Sequence, residues 1–188
     1  MRTVSPEEAA AALRAGGVVL VPTETVVGLV AAESGLSRVR DAKSREADKP
    51  IALLCSSAYE AFSLAREVPR LASKLADLYW PGPLTLVLDR PEGGTVGLRV
   101  PAGRAARELL SAYGGPLFAT SANVSGEPAP HALKDVDPRV SGAVDVAVVG
   151  KPGSGEASAV VDLSGGGARL LRPAAGLTEE TLSRLAGS

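Results

Sequence analysis

The chain has few of the residues on which metal centres, disulfides and covalent catalysis depend. Its 188 residues include one histidine, His131, and one cysteine, Cys55. A zinc site built from Cys and His needs about four such ligands, and a disulfide needs a second cysteine, so this chain cannot form either one by itself. Only 3% of the residues are aromatic, which disfavours a surface that stacks nucleic-acid bases. These shortages disfavour covalent catalysis by His or Cys and catalysis by a metal ion that such residues bind.

The chain also lacks an excess of charge and a long apolar segment. Twenty Lys and Arg against 21 Asp and Glu give a formal net charge of -1, so no strong overall field attracts nucleic acid or an anionic membrane. No apolar run reaches the roughly 20 residues of a membrane helix. Residues 1–15 lack the basic start and apolar middle of a signal peptide. We therefore expect a cytoplasmic protein with no membrane partner.

The remaining composition is that of an ordinary folded domain. Hydrophobic residues make up 45% and charged residues 22%, which disfavours disorder, coiled coil and collagen. No internal repeat and no linker rich in Pro, Ser or charge divides the chain. Residues 1–188 are therefore expected to form a single domain.

Apolar runs alternate with helical patterns along most of the chain. Ser5-Pro6-Glu7-Glu8 has the spacing of a capping box and predicts a first helix. The apolar runs predict buried strands at 18–21, 51–54, 84–88, 117–119, 144–149 and 159–163. Helical patterns lie at 36–42, 58–66, 70–79, 104–113 and 178–186.

Two of these strands are followed closely by further strand-like segments. Short Gly-rich links join 84–89 to 95–100 and 159–163 to 169–171, as in antiparallel hairpins. Strands that alternate with helices indicate an α/β fold. With the hairpins included, the expected fold is an α/β fold with a mixed sheet.

Cys55, in an apolar run, is expected to be a small core residue.

Hydroxyl groups and a carboxylate follow the first strand directly, in Pro22-Thr23-Glu24-Thr25. At the end of a buried strand these side chains could orient a polar ligand. The alternative is a turn held by hydrogen bonds from side chains to the backbone. The residues alone leave both interpretations open.

Three cations lie close together in segment 43–50, at Lys43, Arg45 and Lys49. Pro50 disfavours helix at the residue before it, and in an extended chain Lys43 and Arg45 project to the same side. That arrangement suits a polyphosphate, because Arg offers a bidentate fork and Lys a compact charge. A solvated charge run, interleaved with two acidic residues, is the alternative.

Small hydroxylated residues follow the apolar run at 117–119. Ser121 and Asn123 are two positions apart, so they share a face and could hydrogen-bond phosphate or sugar oxygens. A structural turn is the alternative. The chain has no Gly-rich phosphate loop ending in Gly-Lys-Ser/Thr and no dinucleotide Gly pattern after the first strand. Nucleotide binding would use another design.

Seven short motifs occur in order along the chain. They are PTETVVGL at 22–29, KSREADKP at 43–50, WPGPLT at 80–85, RVP at 99–101, SANVSG at 121–126, VVD at 160–162 and LRP at 171–173. In this order the motifs resemble those of the YrdC/Sua5/TsaC family. The resemblance covers nearly the whole chain, and the length matches the short bacterial form without the additional C-terminal Sua5 domain.

The resemblance implies a fold and an activity. The fold would be a single YrdC-like domain, a twisted α/β sheet with flanking helices around a large electropositive cavity. The activity would be that of an L-threonylcarbamoyladenylate synthase, which converts L-threonine, bicarbonate and ATP into threonylcarbamoyl-AMP and pyrophosphate. This reaction begins the formation of N6-threonylcarbamoyladenosine at position 37 of tRNA. ATP would be a substrate that carries Mg2+ with it, the protein would hold no metal of its own, and the partners would be downstream tRNA threonylcarbamoyl transferase proteins, with tRNA or double-stranded RNA as a further contact.

The resemblance also implies roles for individual residues. Lys43 and Arg45 would be catalytic. Threonine or its carbamate would be bound by Thr25, Arg99 and Ser158. ATP and the adenylate would be bound by Lys43, Arg45, Lys49, Thr95, Ser121, Asn123, His131 and Arg172. Such a cationic clamp suits the chemistry, because the enzyme has mainly to align an anionic carbamate oxygen with the α-phosphorus.

The chain departs from the family pattern where Val27 replaces the usual Tyr and Ala159 replaces a common Thr. The expectation of threonine selectivity depends most on these positions. Two alternatives therefore stay open. One is an RNA-binding or ribosome-maturation module of the same fold, which the net charge and the few aromatics disfavour. The other is a paralogue that acts on another amino acid or carbamoyl donor.

Overall fold

The computed structural model describes residues 1–43 and 51–187, and within them ten strands form one sheet. The sheet order is β1-β8-β2-β3-β7-β4-β6-β5-β9-β10. The strands are β1 Thr3–Val4, β2 Val18–Pro22, β3 Val27–Ala31, β4 Ala52–Leu54, β5 Leu84–Asp89, β6 Thr95–Arg99, β7 Leu117–Ser121, β8 Val146–Val148, β9 Ala159–Asp162 and β10 Arg169–Arg172. The helices are α1 Pro6–Arg14, α2 Leu36–Ala42, α3 Ala58–Ser63, α4 Arg70–Tyr79, α5 Arg104–Tyr113, α6 Pro138–Ser141 and α7 Glu179–Ala186.

The sheet is mixed, as predicted. Parallel pairs are β1 with β8, β8 with β2, β4 with β6, and β5 with β9. The other neighbours are antiparallel and include both predicted hairpins, β5 with β6 and β9 with β10. The strands and helices along the described residues confirm the predicted α/β fold.

The first helix begins where the sequence predicts it. Ser5 Oγ accepts a hydrogen bond from the Glu8 backbone at 3.3 Å, and Glu8 Oε2 accepts one from the Ser5 backbone at 3.3 Å. This reciprocal pair satisfies two N–H groups that have no partner within the helix. The helix buries Ala9, Ala10 and Leu13, so the cap also fixes which face meets the sheet.

The segment after the first buried strand differs from the sequence-based prediction, which placed no strand at 27–31. Only residues 23–26 form the turn, and β3 then returns antiparallel to β2, with Val18 opposite Ala31. Gly28 interrupts the apolar run and hides the strand in the sequence. The polar motif is therefore the tip of a hairpin that is otherwise completely buried.

Alternation along the central strands separates a hydrophobic core from an open face. Leu84, Leu86 and Leu88 of β5 are buried in a cluster with Leu98 of β6 and with α4 and α7. Each of these side chains contributes roughly 1.5–3 kcal/mol by burial. The alternate residues of β5 and β6 point to the opposite face of the sheet. These residues are Thr85, Val87, Thr95, Gly97 and Arg99.

Helices cover only part of that opposite face. Residues of α1 and α5 pack there against β2, β8 and the start of β7, in a cluster that ends at Leu54. Leu54 also borders a cavity that continues across β4, β6, β5 and β9. The topology thus leaves the alternate residues of these strands facing a cavity.

No helix within the described ranges is long and apolar enough to cross a membrane.

Candidate functional site

The cavity has a volume of about 330 Å³, which lies in the range of small-molecule sites. Small residues form its floor where larger side chains would fill it: Gly28 of β3, Ala52 of β4, Gly97 of β6 and Ala119 of β7. A Cβ on Gly97 would lie 3.2 Å from the Cβ of Ala52, which is tighter than an ordinary contact. Glycine in a strand interior often marks a place where a ligand approaches closely.

Hydroxyl groups and two arginines line the cavity. The hydroxyl-bearing residues are Thr23, Thr85, Thr95, Thr120, Ser121 and Ser158, and the arginines are Arg99 and Arg172. In the part of the chain that the structure describes, no carboxylate borders the cavity. The lining can therefore donate hydrogen bonds and positive charge to an anionic ligand.

Arg99 is held by the Thr23–Val26 turn and by the loop before β5. Its Nη2 donates to Glu24 Oε1 at 2.6 Å and to Thr25 Oγ1 at 2.9 Å, and its Nε donates to the Gly82 carbonyl at 3.2 Å. Burial opposes ionisation of Glu24, but the charge and hydrogen bond of Arg99, together with backbone hydrogen bonds that include the Gly103 N–H, outweigh it and lower the pKa of that carboxyl. The pair is therefore ionised, and Arg99 has a fixed orientation.

Arg172 and Ser158 form a second polar group on the other side of the cavity. Arg172 Nε donates to the Ser158 carbonyl at 2.6 Å, and its Nη2 donates to Ser158 Oγ at 3.2 Å. Ser158 Oγ also lies 3.0 Å from Thr85 Oγ1. Desolvation and then the positive charge of Arg99 lower the pKa of Arg172. An anion between these two guanidinium groups would relieve their repulsion.

Lys43 lies beneath the turn that follows β7. The residue is only 1% exposed, and its Nζ donates to the Asn123 carbonyl at 2.7 Å, to Asn123 Oδ1 at 3.2 Å and to the Ser121 carbonyl. Ser121 Oγ in turn donates to Asn123 Oδ1. In this structure Lys43 fixes the turn that brings Ser121 to the cavity, and its own side chain does not border the cavity.

The structure brings most of the predicted site residues together. Five of the eleven border the cavity, and Thr25 contacts one of them, Arg99. Lys43 and Asn123 support the turn that carries Ser121. His131 is exposed and does not border the cavity, and its Nδ1 lies 3.3 Å from Asp135 Oδ2. Arg45 and Lys49 lie outside the described residues. The five cavity residues are Thr95, Arg99, Ser121, Ser158 and Arg172.

Four polar residues at or beside the cavity were absent from the predicted site, namely Thr23, Glu24, Thr85 and Thr120. Glu24 pairs with Arg99, and Thr85 pairs with Ser158. Both lie inside motifs that the sequence analysis identified, in PTETVVGL and WPGPLT. Their side chains contact other site residues across the sheet, and that contact has no signature in the local sequence.

Val27 and Ala159, at which the chain departs from the family pattern, have side chains that face away from the cavity. Both side chains are buried in hydrophobic clusters on the opposite face of the sheet, next to β2 and β5 respectively. A tyrosine at position 27 would have to fit into that core. The placement of Val27 in this core therefore gives no support to the idea that threonine selectivity depends on a side chain at this position.

The described residues contain no cluster of three or more His, Cys, Asp or Glu side chains that could hold a metal ion. Burial, and then the charge of Glu60, raise the pKa of the Cys55 thiol to about 12. A thiol with that pKa is almost entirely protonated at neutral pH and is a poor nucleophile. The arrangement is suited to binding and aligning anions.

Comparison with known proteins gives consistent results. The model of the Sua5/YciO/YrdC family, described as telomere recombination, matches residues 11–174. A threonylcarbamoyl-AMP synthase of Pyrococcus abyssi is 38% identical over 95% of this chain, which spans 56% of that protein. A threonylcarbamoyl-AMP synthase of Mus musculus is 36% identical over 92% of the chain and 68% of its own length. The crystal structure of P. abyssi Sua5 complexed with L-threonine matches 97% of this chain and 57% of its own, with 36% identity and a TM-score of 0.87.

Proposed function

Since the chain belongs to the Sua5/YciO/YrdC family, we propose that it makes threonylcarbamoyl-AMP and pyrophosphate from L-threonine, bicarbonate and ATP. The adenylate would then supply downstream proteins that transfer the threonylcarbamoyl group to tRNA. The crystal structure of P. abyssi Sua5 complexed with L-threonine supports the choice of amino acid. The single sheet that joins strands from residue 3 to residue 172 supports a one-domain organisation.

The observation that carries the proposal is the pair of guanidinium groups at one cavity. Arg99 and Arg172 both border it, and burial and then the charge of Arg99 lower the pKa of Arg172. Threonine carbamate and the α-phosphate are both anions, so their reaction needs positive charge placed between or beside them. The described part of the site provides that charge, and its lining contains no histidine and no cysteine.

The reaction consists of one displacement at phosphorus. A carbamate oxygen forms a bond to the α-phosphorus of ATP, the bond from that phosphorus to the bridging oxygen breaks, and pyrophosphate leaves with the electron pair. The protein needs to hold the two reactants in line and stabilise the charge that develops on the phosphate oxygens. Bound Mg2+ would neutralise phosphate charge, and phosphate oxygens would be its ligands because the described lining contributes no carboxylate.

The proposed roles are those that the family resemblance implies for these residues. Thr25, Arg99 and Ser158 would bind threonine or its carbamate. Arg172, Thr95 and Ser121 would bind ATP and the adenylate, with Asn123 in the turn below; a role for His131 would require a contact with ATP outside the cavity lining, because His131 does not border the cavity. Lys43 would contribute through the turn that its ammonium holds, and Arg45 and Lys49, which lie outside the described residues, would complete the catalytic clamp on the triphosphate.

Product analysis tests the proposal. Purified protein is incubated with ATP, labelled bicarbonate and L-threonine, and the products are identified by mass spectrometry. We expect labelled threonylcarbamoyl-AMP, with pyrophosphate release that requires both threonine and bicarbonate. Each charge-assisted contact contributes on the order of 1.5–3 kcal/mol, so Arg172→Ala should lower kcat/KM by about 10- to 100-fold, whereas the exposed Arg184→Ala on α7 should leave it unchanged.

Other results would support the alternatives. ATP hydrolysis that is the same with and without threonine would refute the synthase. Salt-sensitive, tight tRNA binding without adenylate formation would indicate the RNA-binding module. Preference for serine, or for carbamoyl phosphate over bicarbonate, would indicate a paralogue with a different substrate.

A further inference from the structure

The carboxylate of Glu24 lies between hydrogen-bond donors from two different elements. Its Oε1 accepts from Arg99 Nη2 at 2.6 Å, and its Oε2 accepts from the backbone N–H of Gly103 at 2.8 Å. Gly103 is the residue at which α5 is capped. Most of the ion pair is buried, since the Glu24 side chain is 22% exposed and that of Arg99 is 9% exposed. Glu24 thus joins the Thr23–Val26 turn, β6 and the start of α5.

The backbone around Glu24 is itself fixed by loop 153–155. The Glu24 carbonyl accepts from the Ser154 N–H at 2.9 Å, and the Thr25 carbonyl accepts from the Gly155 N–H at 2.8 Å. Gly153 packs so closely that a Cβ there would overlap the Thr25 carbonyl. Because the backbone is held from one side and the carboxylate from the other, the direction of the Glu24 side chain is well determined.

Glu24 leaves one end of the Arg99 guanidinium available to a ligand. Nη2 and Nε of Arg99 are bonded to acceptors of the protein, whereas Nη1 has no acceptor among the described residues. Arg99 borders the cavity and Glu24 does not. Any influence of Glu24 on a ligand in the cavity is therefore transmitted through Arg99.

We propose that Glu24 is the positioning residue for Arg99, holding its guanidinium so that Nη1 meets the anionic end of threonine or its carbamate. This inference rests on the proposed function, in which Arg99 binds threonine. The carboxylate is suited to the role because it has two acceptor oxygens for two donors. An amide has one acceptor oxygen and one donor group, so glutamine would leave one of the two donors unsatisfied.

The test is steady-state kinetics of Glu24→Gln and Glu24→Asp. We expect Glu24→Gln to raise the KM for threonine by about 10- to 100-fold, as the loss of one well-placed charge-assisted contact would. The KM for ATP should change by less than about threefold, because Arg172 and Ser121 lie on other elements. Aspartate keeps the charge but has a shorter reach, so Glu24→Asp should recover part of the affinity for threonine. The matched control is Glu108→Gln, which breaks the Glu108–Arg104 pair on the exposed surface of α5.

The outcomes separate this inference from the proposed function. If the wild-type protein makes no adenylate, the proposed function fails. If it makes the adenylate and folded Glu24→Gln has the wild-type KM for threonine, only the role of Glu24 is overturned. Equal losses for threonine and ATP would indicate a general structural effect and would also overturn it. If Glu24→Gln fails to fold, Glu24→Asp provides the test. An unchanged KM for threonine in Glu24→Asp would overturn the role of Glu24.

Discussion

Replacing Lys43 by methionine tests whether this residue stabilises the turn that carries Ser121 to the cavity. Methionine has nearly the same length but no donor, so the Ser121 carbonyl, the Asn123 carbonyl and Asn123 Oδ1 each lose a hydrogen bond from Nζ. Hydrogen bonds to charged groups contribute about 1.5–3 kcal/mol each. Because one ammonium serves all three acceptors and the contributions are not additive, we expect a total loss of about 3 kcal/mol in the free energy of unfolding.

That loss is measurable in a protein of this size. A change of about 1 kcal/mol lowers Tm by roughly 2–4 °C in a domain of 150–250 residues, so Lys43→Met should lower Tm by roughly 6–12 °C. Thermal unfolding followed by circular dichroism measures this. Native proteins have about 5–15 kcal/mol of stability, so the variant should still fold at room temperature. The control is Lys134→Met, since Lys134 is exposed.

The same variant should bind ATP more weakly, because Ser121 reaches the cavity from the turn that Lys43 holds. A Tm within about 2 °C of the wild type would refute this reasoning. If ATP affinity nevertheless fell steeply in that case, Lys43 would act on the nucleotide directly.

Three further predictions concern the cavity floor, the cysteine and the ion pair. Gly97→Val should lower adenylate formation by at least about tenfold while keeping the wild-type circular dichroism spectrum, because the new methyl groups occupy the cavity beside Ala52; wild-type kinetics would contradict this. Cys55 should react with a thiol reagent at pH 8 only after denaturation, since burial and then a nearby glutamate raise its pKa to about 12; rapid reaction in the native state would disprove it. The pKa of Glu24 is lowered from 4.5 in the folded protein. Its pairing with Arg99 should therefore contribute stability in full above about pH 4.5, and this contribution should be lost as pH falls through the lower pKa of the folded state. Urea unfolding at several pH values should show a weaker dependence of stability on acid pH in Glu24→Gln than in the wild type, and equal dependence would contradict the prediction.

Local patterns allowed much of the secondary structure to be predicted. The capping box at Ser5 and the hairpin of β5 with β6 depend on residues close together in the chain, and the structure confirms both. Strand β3 was missed because Gly28 breaks the apolar run. The reason for that glycine is visible only in three dimensions, where it borders the cavity.

Motif order also predicted the family and five of the residues that border the cavity. Thr95, Arg99, Ser121, Ser158 and Arg172 come from five separate parts of the chain, yet all five border it. The individual roles of these residues stay predictions.

The sequence by itself determined the alternation of strands and helices, the mixed sheet and the scarcity of nucleophiles and metal ligands. These properties follow from local periodicity, turn chemistry and composition. Only the tertiary structure decided that Lys43 is buried beneath a turn, that Val27 and Ala159 face the core, and that Glu24 joins Arg99 to α5. Such contacts join residues as many as 80 positions apart, because sheet order and the alternation of side chains across each strand, rather than proximity in sequence, determine which side chains meet.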